Sequence, residues 1–146
     1  MSERIAIGAL RGAGWLPGRR VEIGADLASF REEQCGTFDR ALEFLREYSG
    51  LTIIFDRDGE PDELWFSGAR ACDLIFPEWI DDYSRRTGMA LVPVGATNGE
   101  YLVILIGEDG SFYGGFDDVF GSLGASLLEM IENVIQDKDF VERFDK

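Results

Sequence analysis

Leu91-Val92-Pro93-Val94-Gly95-Ala96-Thr97-Asn98-Gly99-Glu100-Tyr101-Leu102-Val103-Ile104-Leu105-Ile106-Gly107-Glu108-Asp109-Gly110-Ser111-Phe112-Tyr113 reads as three strands joined by two turns. Leu91 to Val94 is one strand, Tyr101 to Ile106 is the longest apolar one, and Phe112-Tyr113 opens a third. The run from Leu102 to Ile106 has no polar face, as suits a central strand covered on both sides. Asn98-Gly99 and Asp109-Gly110 are residue pairs that tolerate the positive φ angles of hairpin turns. Strands joined this way make an antiparallel sheet, and helices elsewhere must cover it. The fold class predicted is α+β, one domain over residues 1–146 with helices packed against an antiparallel sheet.

The flanking sequence supplies those helices. Ile5 and Leu10 suit a short helix stopped by Gly12 and Gly14, and Pro17-Gly18 turns the chain. Trp15 reads as a packing anchor there, with Arg19 or Arg20 reaching back to a carbonyl or carboxylate. Val21 and Ile23 alternate with polar residues, predicting a brief extended piece. Asp26 is placed to cap a helix running through Glu33, with Leu27 and Phe30 inward. Gly36 ends it, and Thr37 can cap a second helix whose Phe38, Ala41, Leu42, Leu45 and Tyr48 recur at helical spacing. Gly50 sits where a left-handed cap belongs.

Leu51 to Phe55 is β-branched and aromatic, and Leu64-Trp65-Phe66 is its return strand. The acidic stretch between them predicts a hairpin with a loop longer than the tightest type. Pro77 and Gly88 bracket another helix, with Trp79, Ile80 and Tyr83 inward and Asp81 and Asp82 toward its charged side. Leu127, Leu128, Ile131, Val134 and Ile135 line a closing helix. Phe140, Val141 and Phe144 form a terminal turn that must dock, so residues 137–146 read as a peripheral extension.

Composition narrows the chemistry. The 146 residues carry 28 Asp and Glu against 14 Lys and Arg, a net charge of −14. Phosphate contacts need the opposite sign, so direct nucleic-acid binding and anionic membrane surfaces are disfavoured. The chain contains no histidine, which removes Ser-His-Asp and Cys-His catalysis and the usual transition-metal sites. Cys35 and Cys72 are too few for a disulfide scaffold and read as reduced core or boundary residues. No apolar stretch approaches the ~18 residues of a membrane span, and the N-terminus lacks a signal-peptide pattern, so the expected location is the cytoplasm. Asp56, Asp58, Glu60 and Asp62 alternate, but Gly59 falls at the fourth position where a calcium loop needs glycine at the sixth. Nothing singles out a catalytic carboxylate pair. No cofactor, no metal and no enzymatic activity are expected.

Ala13-Gly14-Trp15-Leu16-Pro17-Gly18-Arg19 resembles the opening signature of the SUKH immunity proteins, in particular their third subgroup. Two further stretches fit that family in order and spacing. One is Tyr83-Ser84-Arg85-Arg86-Thr87-Gly88 running into Leu91-Val92-Pro93-Val94-Gly95; the other is Gly121-Ser122-Leu123-Gly124 entering an amphipathic helix. The resemblance covers nearly the whole chain. It marks Gly14, Trp15, Pro17, Gly18, Arg19, Gly88, Pro93 and Gly95 as structural signature positions and implies the same α+β class.

What the resemblance implies about function is an immunity protein that neutralises a cognate bacterial polymorphic toxin, often a nuclease, by binding it. An acidic protein suits the cationic surface of a phosphate-binding toxin. The candidate contact residues are the exposed-looking acids Asp56, Asp58, Glu60, Asp62 and Glu63, then Asp81 and Asp82, then Asp117 and Asp118. Trp65, Trp79, Tyr113 and Phe116 stand among these acids and would anchor such a patch if exposed, although their spacing follows the predicted inner faces. The alternative is a regulatory interaction module with no toxin partner, since the wider superfamily includes cell-wall regulators. A carboxylate-based hydrolase is a third class and would need a deep pocket holding two close acids.

Overall fold

The structure, a computed structural model, describes residues 2–145; Met1 and Lys146, the ends of the predicted domain, lie outside the described residues. Among the described residues the order is α1 (Ser2–Gly12), α2 (Gly24–Glu32), α3 (Asp39–Tyr48), β1 (Thr52–Arg57), β2 (Glu60–Phe66), α4 (Gly68–Leu74) and α5 (Pro77–Thr87). Then follow β3 (Leu91–Thr97), β4 (Leu102–Gly107), β5 (Phe112–Phe116), β6 (Val119–Gly124), α6 (Leu127–Ile135) and β7 (Glu142–Arg143). The strands form one antiparallel meander in chain order, each paired with its sequence neighbours. The fold is the predicted α+β arrangement.

Strand alternation explains why both faces are covered. On β4, Ile104 and Ile106 enter one core while Val103 and Leu105 enter the other. The first core takes Leu10, Phe30, Phe44, Leu45, Met130 and Ile131 from α1, α2, α3 and α6. The second lies under α4 and α5, where Ala71, Ile75 and Tyr83 meet Trp65, Ala96 and Phe120. Tyr83 stacks on Phe120 with ring centroids 4.4 Å apart. Its ring is able to lie this low because residue 115 is glycine: a Cβ there would stand 2.4 Å from Tyr83 Cε2.

Pro93 and Gly95 explain the irregularity of β3. Pairing with β4 shifts register between them, so Val92 and Val94 face the first core while Ala96, two residues further on, faces the second. A bulge accommodates a proline that has no N–H to donate. At Gly95 a Cβ would lie 2.3 Å from the Trp65 carbonyl oxygen, so β2 and β3 approach closely only without a side chain.

The structure corrects several local expectations. The β1–β2 hairpin is of the tightest kind: Arg57 pairs with Glu60, and Asp58 and Gly59 alone make the turn, at φ 53° and 86°. Both strands continue through the acidic stretch because its alternating charges sit on exposed or half-buried positions of the ribbon. Asp26 does not cap α2, whose cap residue is Ile23 with no side-chain bond, and Thr37 does not cap α3, which starts after Phe38. Val21 forms no strand; its amide donates to the Arg46 carbonyl at 2.8 Å. Residues 119–124 are the strand β6 rather than only a lead into α6. Residues 67–76, without an assignment from sequence, contain α4, capped by the Ser67 hydroxyl, which accepts the Arg70 amide at 3.1 Å. The terminal turn docks: Glu142 and Arg143 pair with β6, and Phe144 packs on the second core.

Candidate functional site

The N-terminal signature is a clasp around the end of α3. Trp15 Nε1 donates to the Glu47 carboxylate at 2.9 Å, and its ring lies over Tyr48 with centroids 6.4 Å apart. The Arg19 guanidinium donates to the carbonyl oxygens of Glu47 and Ser49, two of the C-terminal acceptors a helix leaves unsatisfied. Gly14 and Gly18, at φ 107° and 87°, let the chain reverse twice on either side of Pro17. Arg20 reaches Glu43 at 3.5 Å. The later signature positions serve the backbone as well: Gly88 closes α5 in the left-handed conformation at φ 75°, and its amide donates to Ser84.

The candidate acids fall into two separate groups. The first lies on the β1–β2 hairpin at one edge of the sheet. There Ile53 and Phe55 face the first core, so Ile54, 71% exposed, and Asp56 point outward beside their cross-strand partners Glu63 and Pro61. Asp58 and Glu60 are exposed at the tip. Asp62 is different. Its carboxylate accepts from Arg57 at 2.6 Å and from the amides of Glu63 and Gly99, and Arg57 also pairs with Asp137 beyond α6. Burial pushes the Asp62 carboxyl up, but the Arg57 bond and the two amides outweigh it and hold the group below its ordinary value.

The second group gathers where α5 meets the β5–β6 turn. Tyr83 donates to the Asp117 carbonyl at 2.6 Å, and Arg86 donates to the carbonyls of Asp118 and Phe144 at 2.8 Å each. The same guanidinium grips the Asp82 carboxylate at 2.5 Å, which Arg85 also approaches at 3.7 Å. Asp81 is exposed on the same helix. Tyr83 and Arg86, though far from the turn in sequence, thereby bring Asp81 and Asp82 alongside Asp117 and Asp118.

Beside this second group lies a row of aromatic rings. Phe76 meets Trp79 edge-on at 5.0 Å, Trp79 meets Phe116 at 5.8 Å, and Phe116 meets Tyr101 at 5.5 Å. Phe76, Phe116 and Tyr101 are 57%, 43% and 65% exposed, while half-buried Trp79 roots the row on the second core. Of the aromatics noted among the acids in sequence, Trp65 and Tyr113 are buried. Phe76 has no role in the sequence reading, and Tyr101, read there as the first residue of the longest apolar strand, lies just before β4 instead; both stand at breaks in periodicity, before Pro77 and after Gly99-Glu100, where an apolar side chain has no inner face to occupy.

A sequence profile of the SUKH-3 immunity protein family matches residues 2–137. The chain belongs to the SUKH-3 immunity protein family. No curated protein and no solved structure matches it. The profile spans both cores and every signature position, and ends before the segment that carries β7.

Among the described residues of this SUKH-3 chain no group of three or more His, Cys, Asp or Glu is placed to hold a metal ion, and no helix is long and apolar enough to cross a membrane. A concavity of about 380 Å³ beside the end of α6 holds Asp137 and Asp139, but Asp137 is paired with Arg57. Asp139 is drawn down by the Phe140 amide and Arg143. A proton donor at neutral pH would need its pKa raised instead.

Proposed function

We propose that this SUKH-3 protein neutralises a cognate toxin, a nuclease domain with a cationic substrate-binding face, by non-catalytic contact in the cytoplasm of the producing cell. The observation that carries the reading is the −14 net charge, displayed in two exposed acidic groups on the scaffold of an immunity family. A nuclease attracts phosphate with lysine and arginine. An acidic protein is steered to the same surface, with association toward ~10⁸ M⁻¹s⁻¹ at low salt, and then shields or repels the substrate.

The test is co-expression with the toxin domain encoded beside the gene, scored by cell survival and by complex formation in size-exclusion chromatography. Survival with a stable complex whose association rate falls steeply with salt is the expected result. If toxin-expressing cells die despite the protein and no complex forms, the reading fails in favour of a regulatory interaction module. A complex whose association rate ignores salt would remove the charge argument while keeping immunity.

A further inference from the structure

We propose that the partner is gripped at the row of rings formed by Phe76, Trp79, Phe116 and Tyr101, through arginine and lysine side chains that the partner lays against them. This rests on the immunity reading and adds the place and the chemistry of contact.

Scattered exposed apolar residues are ordinary, but consecutive ring contacts across three separate elements are a contiguous patch, which on a protein surface marks binding. The rings come from the start of α5, the end of β5 and the β3–β4 turn. They are held in place before any partner arrives. Trp79 is seated on the second core, Pro77 starts α5 directly after Phe76, and Tyr83 and Arg86 fasten the turn that follows Phe116. A preformed aromatic patch loses little conformational entropy on binding.

The rim selects the occupant. Glu78, Asp81 and Asp117 form no ion pair among the described residues, and Glu100 adjoins Tyr101. A second copy of the chain would set these acids against themselves, at −14 against −14. Nucleic acid would be repelled in the same way. A guanidinium or ammonium is attracted to the face of a ring and to a carboxylate at its edge. The chain itself contains that arrangement next door: Arg70 lies 3.8 Å over the Trp65 ring and reaches Glu100 at 3.1 Å.

The experiment uses the full-length protein, with a catalytically inactive toxin domain from the neighbouring gene and, separately, an octa-arginine peptide. Tyr101→Ala with Phe116→Ala is expected to weaken toxin binding about 100-fold, mainly through faster dissociation, with thermal unfolding confirming the fold. Asp81→Asn with Asp117→Asn should slow association and flatten its salt dependence. Asp58→Asn with Glu60→Gln, at the tip of the β1–β2 hairpin, should leave the dissociation rate within about 2-fold. Unchanged affinity in the double-alanine variant, with loss in the hairpin variant, would overturn the assignment while leaving immunity intact. If the wild-type protein fails to bind the toxin, the immunity reading falls, and the peptide decides the surface by amide chemical shifts. Shifts centred on residues 76–81, 100–101 and 115–118 support the row; shifts centred on 56–63, or new dimer signals without peptide, overturn it.

Discussion

The buried carboxylate of Asp26 accepts the backbone N–H of Ala69 at 2.8 Å, joining α2 to the first turn of α4 across 43 residues of sequence. Its second oxygen accepts the Ser49 hydroxyl at 2.9 Å, just past the end of α3. One side chain thus satisfies an amide at a helix start and ties three helices together. Gly68 permits the approach, since a Cβ there would stand 2.6 Å from Phe30 and 3.2 Å from Asp26. Asp26→Ala is expected to cost about 2 kcal/mol in urea unfolding, because it removes a charge-assisted bond and leaves the half-buried Ala69 amide without its acceptor. A cost below about 1 kcal/mol would show that water replaces the carboxylate.

Arg19 should be a second point of weakness. Its planar guanidinium reaches two carbonyls that a single ammonium cannot serve together. Arg19→Ala is expected to lose about 2 kcal/mol of stability, and Arg19→Lys to recover only part of it. Full recovery by lysine in the same urea titration would mean that charge alone closes α3.

Asp62 gives a pH signature. Its pKa is depressed in the folded chain, so its stabilisation is present above the unfolded carboxyl value of about 3.9 and is lost as pH falls through the lower folded value. Asp62→Asn should therefore be about 1 kcal/mol less stable than the native chain at pH 7, with the gap closing in acid. A gap of the same size at pH 7 and pH 2 would contradict this.

Cys35 and Cys72 lie 37 residues apart in sequence, yet their sulfurs are 3.7 Å apart, both free. The Cys72 thiol hydrogen-bonds to Cys35 and so draws the Cys35 thiol below its ordinary pKa, while the same contact and burial push Cys72 up. Iodoacetamide at pH 8 is expected to label Cys35 first, and Cys72→Ala should slow that labelling several-fold by removing the donor. Peptide mapping by mass spectrometry reads both outcomes. Faster labelling of Cys72 would reverse the assignment.

Much of the architecture was legible from local pattern. Helical spacing in α3, Pro77 and Gly88 around α5, and the unpolarised run of β4 each depend on residues close in sequence, so each showed without a tertiary structure. Elements were missed where local pattern is weak. β6 carries Gly121 and Gly124, which have no β preference to display but leave room for the Glu142 backbone and for Met130. The acids of the β1–β2 hairpin read as loop because charge masks strand alternation, and the Asp58-Gly59 turn was lost inside them. At the candidate site, the sequence placed the acids and their sign but not their grouping.

By itself, then, the sequence determined the fold class, the absence of histidine chemistry and the acidic character, because composition and short-range periodicity carry these directly, and its motifs carried the family resemblance. Only the tertiary structure decided which charges are already committed and which rings stand in water. Asp62 and Asp82 look identical to Asp58 and Asp81 along the chain until Arg57 and Arg86 are brought against them. Phe76, Trp79, Phe116 and Tyr101 become one surface only when the sheet sets three distant segments side by side. Pairing and exposure are properties of contacts across the fold, and those contacts exist only once the meander has closed.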